Sequence, residues 1–188
     1  MKALERYTLP DIPLSIKEAH AFALERHKGH YRKFTDEPYI RHPEQVVCIL
    51  ALYETDEDVL TAAILHDVIE DTYTTIQEVQ YTFGKRVADL VQELSADERA
   101  KKTFGKKVYM SNHVNGLSSD AFTIKLADRL HNVMGLLDSR MSVGFVSWYI
   151  IETKYILDNL VRDDYTDSQN TLLDIIEFMT NYVEVVVL

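Results

Sequence analysis

Apolar residues recur along most of the chain at spacings of three and four, the period of a helix that buries one face. The stretch SIKEAHAFALERHKG has Ser15 and Glu18 in capping-box spacing and ends at Gly29, so it reads as a complete helix. PEQVVCILALYE opens at Pro43, a favoured first helical position. DEDVLTAAILHDVIEDT follows with Asp56 as its cap and reads as one continuous helix. TTIQEVQYTFG and KRVADLVQELS predict two helices meeting at Gly84. SSDAFTIKLADRLHNVMGLLDS predicts a long one, and SVGFVSWYIIETKYILDNLV and TLLDIIEFMTNYVEVVVL complete the set. Only the β-branched residues Val185 to Val187 would suit a short strand. Two segments lack periodicity: HYRKFTDEPYIRHP, polar and aromatic, and DERAKKTFGKKVYMSNHVNG, basic and irregular. Such segments read as long loops, and loops of that length within a compact domain are usually functional or mobile. No repeat or low-complexity linker interrupts the pattern, which predicts one all-α domain over residues 1–188.

Composition narrows the setting. Six glycines and four prolines in 188 residues leave few breaks and favour long helices. The single cysteine, Cys48, excludes an internal disulfide framework and a Cys-rich zinc site, and fits a cytoplasmic protein. No run of ~18 apolar residues occurs, so neither a signal peptide nor a membrane partner is expected. A formal net charge of −10 excludes general nucleic-acid binding, which needs a basic surface for phosphates. It leaves room for a small anionic partner held by a local cluster of cations. The apolar C-terminal helices leave a homo-oligomer open.

The chemistry concentrates in ILHDVIEDT, where His66, Asp67, Glu70 and Asp71 fall within six residues. At about 100° per residue all four would occupy one sector of a continuous helix, opposite Leu65, Val68 and Ile69. Asp67 and Asp71 are then a like-charge i,i+4 pair, which is unfavourable. A solvated acidic face would explain the run. Two further residues point elsewhere: His42 in YIRHPEQV, and Asp128 in the otherwise apolar IKLADRLHNVMGLL, where an aspartate needs a partner. A salt bridge to Arg129 or to a neighbouring helix would supply one. Alternatively, His42, His66, Asp67 and Asp128 make a mixed nitrogen and oxygen set suited to Mn²⁺, Fe²⁺, Zn²⁺ or Mg²⁺. Glu70 and Asp71, one turn on, would face the same site and suit handling of a bound water. Arg32, Lys33, Arg41, Lys125 and Arg129 would offset an anionic substrate, or simply be solvated. His131, three residues after Asp128, reads as a supporting residue. His20, His27, His30 and His113 read as surface or packing positions.

Taken in order, HKGHYRKFTDEPYIRHP, AAILHDVIEDT, FGKRVADLV and KLADRLHN resemble the HD-domain phosphohydrolases, and more narrowly the hydrolase domain of the RelA/SpoT family, in its small stand-alone form. The resemblance covers residues 15–138, leaving 1–14 as an N-terminal extension and 139–188 as C-terminal helices. It implies a single HD-domain bundle of about eight to ten helices. It also implies a Mn²⁺-dependent enzyme that removes the 3′-pyrophosphate from ppGpp and pppGpp. His42, His66, Asp67 and Asp128 would hold the metal, and Glu70 and Asp71 would position and deprotonate water. Arg32 and Lys33 would lie against guanine and Asn132 against the ribose or its 3′ phosphate.

The chain departs from the family pattern in its first and last motifs. It reads HNVMGL where the family usually reads HNMRTL, placing Met134 and Gly135 at an arginine and a threonine. His30 replaces the usual glutamine of the first motif, and Phe34 sits where a small residue is common. These changes leave substrate selectivity open. The same chemistry on an adenine alarmone, the 2′-phosphate of NADPH or a pyrophosphorylated tRNA end is one alternative. A nucleotide-binding or toxin-neutralising module is another. The basic residues 101–107 could supply other phosphate contacts.

Overall fold

A computed structural model describes residues 13–138 and 140–188. Most of the N-terminal extension therefore lies outside the described residues, as does Ser139. The described residues form eleven helical segments and no strand, apart from an isolated bridge between Tyr31 and Pro38. The segments are α1 (Leu14–Arg26), α2 (Arg41–Leu50), α3 (Glu57–Leu65), α4 (Val68–Asp71), α5 (Ile76–Phe83), α6 (Lys85–Leu94), α7 (Glu98–Phe104), α8 (Lys106–Gly116), α9 (Ser119–Gly135), α10 (Val143–Asp158) and α11 (Asp167–Val187). Nine have eight residues or more, α4 and α7 being shorter, so the all-α expectation holds. Among the described residues no helix is long and apolar enough to cross a membrane.

Helix α9 is the axis of the bundle, packed against α2, α3, α6, α10 and α11. It can be central because its apolar residues cover more than one face: Ala121, Phe122, Ile124, Leu126, Ala127, Leu130 and Val133 are all buried. Phe122 alone stabilises the fold by about 1.5–3 kcal/mol through burial. A smaller cluster of Val133, Leu136, Val146, Ile150 and Val183 ties the end of α9 to α10 and α11.

Local chemistry starts most of these helices. Asp56 caps α3 by accepting from the Asp58 and Val59 N–H groups, as expected. Thr75 with Glu78 and Thr166 with Gln169 form capping boxes for α5 and α11, and Ser118 and Ser142 cap α9 and α10. Gly84 has φ +89, and turns the chain between α5 and α6 in a conformation only glycine adopts easily.

Four expectations are corrected. Ser15 does not cap α1, which begins at Leu14 after Pro13; its hydroxyl instead donates to Glu57 across the bundle at 2.8 Å. The basic segment after Asp97 is not a loop but the pair α7 and α8, turned at Gly105. Residues 185–187 continue α11, apart from any strand, because the tail packs on α10 through Val183 and Val187. The helix through ILHDVIEDT is interrupted at His66 and Asp67. There the Ala63 carbonyl, which an unbroken helix would offer to the Asp67 N–H, accepts from His66 Nδ1 at 2.8 Å. Thr72 Oγ1 then donates to the Val68 carbonyl at 2.6 Å and ends α4 after one turn.

Candidate metal centre

Three separate pieces of backbone bring the histidines and aspartates together. His42 lies in the first turn of α2, His66 and Asp67 form the break between α3 and α4, and Asp128 lies in the middle of α9. One ligand atom each from His42, His66 and Asp128 comes within 4.8 Å of the others. Asp67 completes the group, its Oδ2 lying 3.1 Å from His66 Nε2 and 3.6 Å from His42 Nε2. His42 Nε2 lies 3.1 Å from Asp128 Oδ1. Both histidines are 2 % exposed.

The hydrogen bonds behind the cluster fix which ring nitrogen faces it. His66 gives Nδ1–H to the Ala63 carbonyl, and its buried Nε2 has no hydrogen-bond partner. His42 Nδ1 is bonded at 2.8 Å to His131 Nδ1, so its Nε2 also faces the carboxylates. An unpartnered buried nitrogen among imidazoles and carboxylates fits a divalent cation, and the second bonds fix the ring orientations as metal sites require. Tyr39 donates to Asp67 Oδ2 at 2.6 Å, and Asn132 Nδ2 donates to Asp128 Oδ1 at 2.5 Å. Lys125 Nζ lies 2.9 Å from Asp128 Oδ2.

Charge inside this buried group is strongly coupled. Burial alone would push the His66 imidazole down, but Asp67 and Asp128 outweigh it and hold it up at about 9. Burial works against both carboxylates as well, yet His66 holds Asp67 low, while Lys125 and His42 hold Asp128 well below the usual range. Lys125 stays charged because Asp128 and Asp67 overcome the cost of burying it. His131 is pushed down to about 3 by burial and by its neighbour His42, so it remains neutral and can accept from His42.

His42, Asp67 and Asp128 form part of the lining of a cavity of ≈640 Å³. Glu70 and Asp71 line it outside the metal-ligand group. Glu70 Oε1 accepts from the Ala96 N–H at 2.7 Å, and burial pushes its carboxyl above the usual range. Arg32 lines the cavity and donates to Asn132 Oδ1 at 3.0 Å, so Arg32, Asn132 and Asp128 form one chain of bonds. Lys33 lines the cavity with an exposed side chain. Arg129 is turned towards α10, where Nη1 donates to Glu152 at 3.1 Å. Arg41 pairs with Glu44 at 3.1 Å, away from the cavity lining.

Several lining residues carry no metal-site signature in the sequence. Phe34, Phe145, Trp148 and Tyr149 form an aromatic wall, and Lys101 and Lys106 add cations from α7 and α8. Phe34 adopts φ +66, which costs a non-glycine residue about 1–2 kcal/mol, and packs its ring 4.9 Å from Phe145. The cluster of aromatics in GFVSWYIIE was a signal available for this wall. Tyr39 stacks on His27 at 4.8 Å as well as bonding Asp67.

Comparison with known proteins agrees with this arrangement. The HD domain family model matches residues 19–142. The bifunctional (p)ppGpp synthase/hydrolase SpoT of Escherichia coli is 38 % identical over 138 residues, which are 71 % of this chain and 20 % of that protein. The chain thus spans about a fifth of the length of that relative. The guanosine-3′,5′-bis(diphosphate) 3′-pyrophosphohydrolase MESH1 of Xenopus tropicalis is 42 % identical over 125 residues, 64 % of this chain and 69 % of that protein. Among solved structures, a metazoan ortholog of SpoT that hydrolyses ppGpp superposes with a TM-score of 0.76 at 31 % identity. The superposition covers 88 % of this chain and 95 % of that one. With the bundle, the paired histidines and aspartates and these matches together, the chain belongs to the HD-domain family.

Proposed function

We propose that the protein is a Mn²⁺-dependent pyrophosphohydrolase that converts ppGpp and pppGpp to GDP or GTP and pyrophosphate. The observation that carries this reading is the buried His42, His66, Asp67 and Asp128 group opening onto a cavity whose wall bears both aromatic rings and cations. The similarity to SpoT and MESH1 supports guanosine bis(diphosphate) as the substrate.

A divalent cation held by those four residues would lower the pKa of water and offset charge on phosphoryl oxygens. The remaining work falls to the chain. Glu70, held through Oε1 by the Ala96 N–H, keeps Oε2 for the proton of the attacking water, and its raised pKa suits that transfer. Asp71 lines the same cavity and orients the water. Water adds to the phosphorus attached to ribose O3′, the P–O3′ bond breaks, and the water proton is delivered overall to O3′. Asn132 meets the ribose or its 3′ phosphate in this reading, which its bonds to Arg32 and Asp128 support. Arg32, Lys33 and Lys101 offset the phosphates, while Lys125 keeps Asp128 ionised. The aromatic wall offers a purine a stacking surface.

The test is anion-exchange analysis of ppGpp incubated with the protein, with and without Mn²⁺. GDP and pyrophosphate should appear only with the metal. No release from protein shown to bind Mn²⁺ would overturn the reading. Faster turnover of an adenine alarmone, NADPH or pyrophosphorylated tRNA in a parallel panel would reassign the substrate.

A further inference from the structure

Glu152 is 1 % exposed in α10, and no step of the proposed hydrolysis uses it. A buried carboxylate requires compensation, and here two cations share one acid. Oε1 accepts from Arg129 at 3.1 Å, whereas Oε2 lies 3.6 Å from Lys106 Nζ and has no hydrogen-bond partner. Each cation also rests on an aromatic ring. The Arg129 guanidinium is 4.8 Å from the Tyr149 centroid, and the Lys106 ammonium is 4.4 Å from that of Trp148.

The two cations are held unequally. Arg129 is buried and makes a second bond to Thr153 Oγ1 at 3.4 Å. The Lys106 side chain is 43 % exposed, and burial pushes its ammonium below the usual lysine range despite the carboxylate beside it. Two positive charges against one negative leave an excess of one on a wall that faces the cavity. Two further acids act on this pair, Asp128 on Arg129 and Glu98 on Lys106, and they are already paired with Lys125 and Lys101. An anionic group is what this wall lacks.

We infer that Glu152 is a positioning residue: it fixes Arg129 in the cavity wall and parks Lys106 against Trp148, from where Lys106 transfers to a phosphate group of the entering nucleotide. This rests on the nucleotide-hydrolase reading. Arg129 and Glu152 form the fixed part of the device, and Lys106 the moving part. Glu152 competes with the nucleotide for Lys106, so removing its charge tightens binding.

Trp148 is the only tryptophan in the chain, so its emission reports on the departure of Lys106 and on any ring that stacks there, and the Lys106 variant separates the two. The experiment mixes the full Mn²⁺-loaded chain with ppGpp in a stopped-flow instrument, follows Trp148 emission within the first turnover, and measures KM and kcat in parallel. Wild-type emission should change saturably. Glu152→Gln keeps an oxygen for Arg129 and should lower KM about fivefold, roughly 1 kcal/mol, with kcat changed less. Lys106→Met should raise KM about tenfold and leave only the part of the emission change that stacking causes, and Glu152→Gln added to it should no longer lower KM. An unchanged or raised KM in Glu152→Gln, or the same effect with and without Lys106, overturns the inference. If Glu152→Gln does not fold, an unchanged KM in Lys106→Met, a substitution at a half-exposed position, overturns it. An emission change that depends on Lys106, without release of GDP, would sink the hydrolase reading and leave the Lys106 transfer standing. Release of GDP with neither variant altering KM would do the reverse.

Discussion

Removing the divalent metal should destabilise the fold by an amount that depends on pH, with a sign set by His66. At a Mn²⁺ concentration of about 100 times Kd, binding to the folded state alone contributes about 2.7 kcal/mol. For a chain of this size each kcal/mol moves Tm by about 2–4 °C, so metal should raise Tm by roughly 5–11 °C. The structure adds a proton to this linkage. Without metal, Asp67 and Asp128 hold the His66 imidazole up at about 9, so at pH 7 a protonated ring stands among the carboxylates. Metal binding requires the neutral ring and expels that proton, so affinity should rise about tenfold per pH unit between pH 7 and 8. At a fixed metal concentration well above Kd the stabilisation should then grow by about 1.4 kcal/mol over that unit. Calorimetric melts with Mn²⁺ and with chelator at pH 7 and pH 8 give all four numbers. A metal-induced shift that is absent at both pH values would return the acidic run to a solvated face. A shift that is the same or smaller at pH 8 would refute the protonated His66.

In the metal-free protein, stability should peak near pH 6.5. His66 is raised from 6.5 to about 9, so its contribution is complete below 6.5 and is lost as pH rises through 9; His27, His42, His113 and His131 are all lowered, chiefly by burial, so stability also falls as pH drops below 6.5. A Tm that climbs steadily from pH 6.5 to 9 would contradict this. His131→Phe removes the partner of His42 Nδ1 and should weaken Mn²⁺ binding about 10–100-fold, read by competition with a metal-sensitive dye; unchanged affinity would mean His42 is oriented by packing alone. Glu70→Gln should lower kcat by about 10²–10⁴ while keeping the metal-induced Tm shift, whereas Asp67→Asn should lose most of that shift. Loss of the shift in Glu70→Gln would make Glu70 a ligand instead.

Where the helices begin was legible wherever the signal is local. Asp56 and the glycine at 84 act on backbone groups within a few residues, so their sequence spacing is enough. Ser15 shows the limit, because its hydroxyl meets Glu57 on another helix. Helices α7 and α8 escaped detection for a different reason. No residue of α7 is buried, and α8 buries a mixture of Tyr109, Met110, Ser111 and Val114, so neither writes an apolar period into the chain.

By itself the sequence determined the all-helical class and the inventory of the candidate site: two imidazoles, two aspartates and the Glu70–Asp71 pair, in an order resembling the HD enzymes. Tertiary structure alone decided how those groups face one another. The break at His66 comes from a side chain competing for a backbone carbonyl, and the ring orientation of His42 comes from His131 across the bundle. The aromatic wall joins Phe34, between α1 and α2, to three rings of α10, and the Glu152 carboxylate of α10 is shared by Arg129 of α9 and Lys106 of α8, elements that meet only when α9 is buried at the centre. Periodicity records which side of a helix is apolar. Which helix it packs against, and therefore which charges share a cavity, depends on closing the whole core at once.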